Sequence, residues 1–282
     1  MKRTLLLLFP LLSGCLGKVS TDTDYRRQLV VEGRIEAGGP AEVLLTENLP
    51  FLEIITRERL EAAVVRYAKV TVTADDGRSE VLTGYYDRNV PTRFVYRSAQ
   101  LLGRAGGTYT LTVEDRGRTC TAVAAVPEPV AALSLHAEPV CDSLFTLRAR
   151  FDRTAAGDAY LVECRIGGTG PYLPALLGTA DGSVLPDGGA AVLTVNRPLD
   201  YLKIKEYSQY FRPGETVDVR LSRIDAFAFD FWSRLENEML NAMNPVFPAY
   251  ENLPSDIGGD ACGIWSGYGS TYRRVVLPPP AP

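Results

Sequence analysis

Asp256 and Asp260 flank Ile257-Gly258-Gly259 near the C-terminus. Carboxylates so spaced can share a Ca²⁺ ion or divide acid and base roles in a hydrolysis. The same spacing suits turn chemistry, with Asp side chains accepting from nearby amides, and that reading takes precedence. Asp75-Asp76-Gly77 is read in the same way, as a hairpin turn. One histidine, His136, argues against His-based metal sites and His-dependent nucleophiles, and it is expected at a strand end on the surface. Cys120, Cys141, Cys164 and Cys262 contain no C-x-x-C pair, which argues against redox and zinc-ribbon chemistry. They allow three disulfide connectivities, and Cys164, on the apolar side of its segment, equally fits a buried thiol. Gly103-Arg104-Ala105-Gly106-Gly107 lacks the Lys-Ser/Thr of a phosphate cradle and precedes a strand, so it reads as a turn. Tyr85, Tyr86, Trp265, Tyr268 and Tyr272 suit either a recognition patch or packing, and packing is favoured. No catalytic, cofactor-binding or metal-binding residue is assigned.

The strongest chemical signal is at the N-terminus. Lys2 and Arg3 precede an apolar run from Leu5 to Leu12, which is much shorter than the roughly 20 residues a membrane span needs. The run ends in Leu12-Ser13-Gly14-Cys15. This resembles the bacterial lipobox, in which small residues admit a peptidase and the Cys thiol takes up a diacylglycerol. Cys15 is therefore the expected lipid-attachment site, with residues 1–14 as signal peptide and 15–27 as tether. Several acyl chains on one residue give the stable anchoring that a single chain does not. In the sorting signals this start resembles, Asp after the Cys favours inner-membrane retention, so Leu16 points to the outer membrane.

The elements that follow are short and mostly β. The chain has 282 residues, 46% of them apolar, with 25 Gly and 19 Pro spread along it. That length favours two domains, and the composition excludes wholesale disorder. A net charge of −4 argues against a nucleic-acid partner. Short β-rich runs, several of them alternating, mark strands at Gln28–Glu36, Ala41–Thr46, Val64–Ala74, Ser79–Thr83, Arg93–Arg97, Thr108–Val113, Thr119–Val126, Leu144–Phe151, Tyr160–Ile166, Ala191–Val195 and Thr216–Ile224. Glu53–Arg66 reads as a loop with a helical turn, and Gly167–Gly189 as a long loop or insertion. One helix is expected near 226–243, capped by Asp225 and packed on the second sheet through Phe231, Trp232, Leu235 and Met239. Pro127-Glu128-Pro129 sets the boundary between a 28–128 sandwich and a 129–282 β-rich domain, and a 28–128 fragment is expected to fold alone. The fold class is mostly β: two β-sandwich-like domains and one helix in the C-terminal half.

The order of segments resembles a known family. A lipobox is followed by LVVEGRI at 29–35, AKVTVTADDG at 68–77, GRAGGTYTLTVEDRG at 103–117, a Pro-rich step and NPVFPAYENLPSDIGGDACGIWSGYG at 244–269. This is similar to the Bacteroidota lipoproteins grouped as domain of unknown function 4249. Asp256 stands where that family commonly has Asn, and Ala261-Cys262 departs from its usual Gly. The first half also looks like transthyretin-like or Ig-like sandwiches. Asp22 and Asp24 resemble the acidic export signals of such lipoproteins and slightly favour the cell surface. The resemblance implies an outer-membrane location, often with genes beside TonB-dependent transporters, and carries over no activity and no cofactor.

The expected function is that of a non-enzymatic outer-membrane lipoprotein, held by its lipid and accessory to a TonB-dependent transporter. An adhesin or envelope-assembly lipoprotein, and a hydrolase built on Asp256 and Asp260, are the alternatives. The expected partner-contact region is Asn244–Tyr272, with Trp265, Tyr268 and Asp256 as its candidate residues, because strand periodicity explains it poorly. Closure of the second domain is the competing role for that region.

Overall fold

The computed structural model describes residues 27–49, 56–90, 92–152, 157–185, 189–198, 207–242 and 253–279. Residues 1–26, which hold the expected signal peptide, Cys15 and nearly all of the expected tether, lie outside the described residues. The strands are β1 Leu29–Glu36, β2 Pro40–Glu47, β3 Lys69–Ala74, β4 Ser79–Val81, β5 Thr83–Tyr86, β6 Phe94–Leu102, β7 Thr108–Asp115, β8 Arg118–Ala125, β9 Ala131–Cys141, β10 Leu144–Asp152, β11 Ala159–Ile166, β12 Leu173–Asp181, β13 Ala190–Val195, β14 Thr216–Ile224, β15 Gly258–Gly259 and β16 Ala261–Val276. The helices are α1, Arg57–Ala63, and α2, Ala226–Ala242. The chain is mostly β, as expected.

One eight-stranded sheet, in the order β12-β11-β14-β16-β1-β2-β6-β5, runs through both halves. Its β1-β2-β6-β5 half faces a five-stranded sheet, β15-β8-β7-β3-β4, and the two enclose Val31, Ile35, Val43, Val70, Val72, Leu111 and Val113. Its other half faces a three-stranded sheet, β13-β10-β9, around Leu147, Phe151, Tyr160, Val162, Val217 and Leu221. Alternation in β3 and β7 puts valines and Leu111 inward and threonines outward, and β8 turns Cys120, Ala122 and Ala124 inward, as a sandwich with one wet face requires.

The spine is β16. Its first half pairs in parallel with β1, from Leu29↔Ala261 to Glu36↔Tyr268, and its second half pairs antiparallel with β14. Sixteen residues at roughly 3.3 Å each carry it about 50 Å, across both sandwiches. Ile257 and Trp265 are core residues of the first sandwich, although they lie far beyond the expected boundary. The division at 128/129 therefore separates two strand sets without separating two independent cores.

The Pro-rich linker crosses β16 at close range. A Cβ on Gly267 would stand 2.1 Å from the carbonyl oxygen of Ala125, and one on Gly269 would stand 2.5 Å from that of Glu128. Glycine at these places is a packing requirement.

Three sequence readings change. Gly167–Gly189 contains β12, an edge strand hidden by Pro174, by Gly178 and by a register shift opposite Leu161–Glu163. β9 was not expected, and His136 lies exposed within it rather than at a strand end. The C-terminal segment is the longest strand. By contrast α2 forms as read: Asp225 Oδ1 accepts from the Ala228 amide at 2.7 Å, and Ala228, Phe231 and Trp232 pack on Leu161, Ile264 and Tyr268 on the sheet's outer face.

Candidate functional site

The three candidate contact residues have structural partners. Trp265 is 1% exposed and its indole N–H donates to the Tyr109 carbonyl at 3.0 Å, inside the first core. A Cβ on Gly33, its register partner, would meet the indole at 2.6 Å, so only glycine leaves room for the ring. Tyr268 is 1% exposed and its hydroxyl accepts from the Trp232 indole at 3.0 Å. Neither can touch a partner, which corrects their candidacy as contact residues and agrees with the packing role favoured for these aromatics. Their polar tips are satisfied internally, as buried Trp and Tyr require.

Asp256 is half-buried, and its carboxylate accepts from the Trp265 amide at 3.0 and 3.3 Å. Burial lifts its pKa to about 6, and the nearby negative charge of Asp225 adds to the rise. The carboxylate acting on Asp256 is thus Asp225, and the arrangement is turn chemistry at the entry to β16. A carboxyl whose folded pKa is raised stabilises the fold most at low pH, and that contribution fades as pH rises through about 6. Asp256→Asn keeps an acceptor for the Trp265 amide and removes the charge. We expect it to raise the melting temperature at pH 7.5 by about 2–4 °C, the effect of about 1 kcal/mol after allowing for a half-exposed group. Near pH 4 the two melting curves should coincide. An Asn variant less stable at pH 7.5 would refute this.

The outer face of the shared sheet carries a buried charge network. Arg34 and Glu36 come from β1, Glu163 from β11 and Arg220 from β14. Arg220 grips Glu163 with two hydrogen bonds, 2.7 and 2.5 Å, and reaches Glu36 at 3.0 Å. Arg34 reaches Glu36 at 2.6 Å and Glu163 at 3.3 Å. The Tyr272 hydroxyl donates to Glu36. Arg34 lies 4.3 Å from the centre of the Tyr268 ring and Arg220 4.8 Å from that of Tyr172. Burial alone would raise Glu163, but the Arg220 and Arg34 charges hold it below the ordinary carboxylate range. Above the network, Gly170 in the loop before β12 donates to Asn89 of the first half at 3.1 Å. The two cations are thus engaged by Glu36 and Glu163, and Glu32, in the same phase of β1, adds a third carboxylate that desolvation pushes above its ordinary range. The arrangement joins the two sandwiches and offers no substrate an open cation.

Other chemistry is sparse. Among the described residues no group of three or more His, Cys, Asp or Glu could hold a metal ion. The four described cysteines are free thiols: Cys120 and Cys164 are buried, Cys262 is half-buried and Cys141 is exposed. A cleft between α2 and β12, lined by Leu161, Leu176, Trp232, Leu235 and Met239, holds about 10 Å³, room for one water. Glu236 beside it accepts from the Gly178 amide at 3.0 Å and the Thr179 hydroxyl at 2.6 Å, satisfying the β12 bulge. Among the described residues no helix is long and apolar enough to cross a membrane.

Tyr85 and Tyr86 differ from the buried aromatics. They lie on β5, the edge of the eight-stranded sheet, 42% and 65% exposed.

The architecture defines a mostly β protein of two sandwiches sharing one sheet. Residues 18–274 match the family described as "Domain of unknown function (DUF4249)", and the chain belongs to that family. No curated protein matches. Among solved structures it is similar to a two fibronectin type-III domain segment of chicken tenascin, at 13% identity and TM-score 0.24, over 72% of this chain and 93% of that one. It is also similar to the FN1–FN3 domains of chicken CNTN1, at 11% identity and TM-score 0.22, over 71% of this chain and 61% of that one.

Proposed function

We propose that this protein is a lipid-anchored, non-enzymatic binding module of the outer membrane, accessory to a TonB-dependent transporter. The observation that carries the reading is Leu12-Ser13-Gly14-Cys15, placed shortly before the first strand. Cys15 would become the N-terminus, and about a dozen residues would link it to the fold, a reach of at most about 40 Å. A partner in the same membrane then gains effective concentration from the tether. β1 starts at the tether and β16 runs alongside it, so the second sandwich projects away from the anchor. The internally paired charge network and the internal role of Asp256 favour binding over hydrolysis.

Mass spectrometry of the mature N-terminal peptide is expected to find an acylated Cys15, and fractionation to find the protein in the outer membrane. Cys15→Ala should move it to the soluble fraction. An unmodified Cys15 would refute the anchor. Purification from solubilised outer membrane without any co-purifying transporter would refute the accessory role.

A further inference from the structure

The two edges of the eight-stranded sheet are built differently. β12 contains Pro174, breaks register between Pro174 and Thr179, carries Leu177 at φ +56°, is tied to Glu236 through the Gly178 amide, and bridges Pro198 through Ala175. These are the devices that protect an edge from foreign strands. β5, though short, has no proline, bulge or side-chain tie of this kind: its four residues, Thr83-Gly84-Tyr85-Tyr86, are all exposed, and among the described residues no strand pairs with its outer side.

Its hydrogen-bonding phase follows from the register. The Asp87 amide donates to the Arg93 carbonyl at 3.1 Å, so 87 and 93 form a bonded pair. Bonded and non-bonded pairs alternate along an antiparallel ladder. Tyr85↔Val95 and Thr83↔Arg97 are therefore bonded as well. Gly84 and Tyr86 direct their N–H and C=O groups away from β6, toward the open side.

Charge at this edge is unbalanced. Glu42 and Asp87 are held by Arg97, Glu61 by Arg93, and Glu80 by the amides of Ala99 and Leu101. Arg66, which lies 6.0 Å from the centre of the Phe94 ring across from Tyr86, and Arg88 have no carboxylate partner among the described residues. A second copy of this chain would bring the same cations to the edge and be repelled.

We propose that β5 is a docking strand that takes an extended, acid-flanked segment of another protein as a ninth strand of the sheet. Main-chain groups of Gly84 and Tyr86 bind it, the Tyr85 and Tyr86 rings contact alternate side chains on its two faces, and Arg66 and Arg88 meet its acidic flank. This rests on the reading of the chain as a binding module.

The test is photo-cross-linking on the lipid-anchored full chain in its native membrane, with the cross-linker at Tyr85 or, as a control, at exposed Val123. The expected result is adducts from position 85 on one contiguous acidic segment of another protein. Tyr86→Pro removes an outward N–H without breaking the β6 ladder and should lower the yield at least tenfold, as should Arg66→Glu with Arg88→Glu. Tyr86→Phe should keep it. Equal yield from position 123, no effect of Tyr86→Pro in a variant that still melts as wild type, adducts only with a second copy, or no adduct would each overturn the proposal. Fractionation of the same cells reads the membrane location separately, so capture can fail while the anchor stands.

Discussion

A fragment ending at Glu128 is expected to stay unfolded. Residues 28–128 supply eight strands, but the centre of their core is filled from the other end of the chain. Trp265 is among the largest fully buried side chains, and Ile257 is 6% exposed beside it. Without β16, β1 loses its parallel partner along its whole length, and β8 loses the bridge to Gly258–Gly259. The indole site alone is a void whose creation in an intact core costs about 3–5 kcal/mol. Ordinary domain stability is about 5–15 kcal/mol, and the fragment also loses a row of main-chain hydrogen bonds. Far-ultraviolet circular dichroism should show a disordered fragment, and a peptide spanning 253–279 added in trans should restore the β signal. In the intact chain, Trp265→Ala should lower stability by about 3–5 kcal/mol in urea titrations. A fragment that melts cooperatively by itself would show the two cores to be independent after all.

How much of this was legible beforehand depends on what covers each strand. β3, β7, β10 and β14 each put an apolar row on a core and a polar or charged row on the other side, so period two reads directly from their residues. β16 has cores against one face and α2 with the charge network against the other, and residues Ile264–Gly269 are buried in succession. A strand covered on both sides carries no polar alternation. Its glycines, which the crossing linker requires, look like loop composition. The same geometry misled the reading of Trp265 and Tyr268: exposed aromatics and buried ones have identical letters, and only the partners at Tyr109 and Trp232 distinguish them.

The charge network was hidden for a different reason. Arg34, Glu36 and Arg220 occupy the outward phase of their strands, where alternation assigns side chains to water. Nothing local reveals that Tyr172 and α2 close over that face, or that Glu163 lies opposite Arg220 across 57 residues of chain. The only local sign is that Arg34 and Glu36 share one face of β1 with no lysine beside them.

That concealment gives the second large effect. Arg220→Met should destabilise the protein by about 3–5 kcal/mol, because the carboxylates of Glu163 and Glu36 would remain in a covered site with one cation fewer. Glu163 is 3% exposed, so water cannot take the place of the guanidinium. The pair itself need not be strongly stabilising, since burying two charges costs much of what their attraction returns. Removing both partners therefore differs from removing one. Arg220→Met with Glu163→Leu leaves Arg34 and Glu36, which already touch at 2.6 Å, as a matched pair. The double variant should be more stable than Arg220→Met alone by at least about 1 kcal/mol in urea titrations. The pH dependence supplies an independent check. Glu163 is held below the ordinary carboxylate range, so its contribution is full above that range and is lost as pH falls through the lowered value. Wild type should lose stability on acidification, and the double variant should lose less. If the two substitutions simply add, or if Arg220→Met unfolds like wild type at pH 7, the network does not join the sandwiches in the way its distances imply.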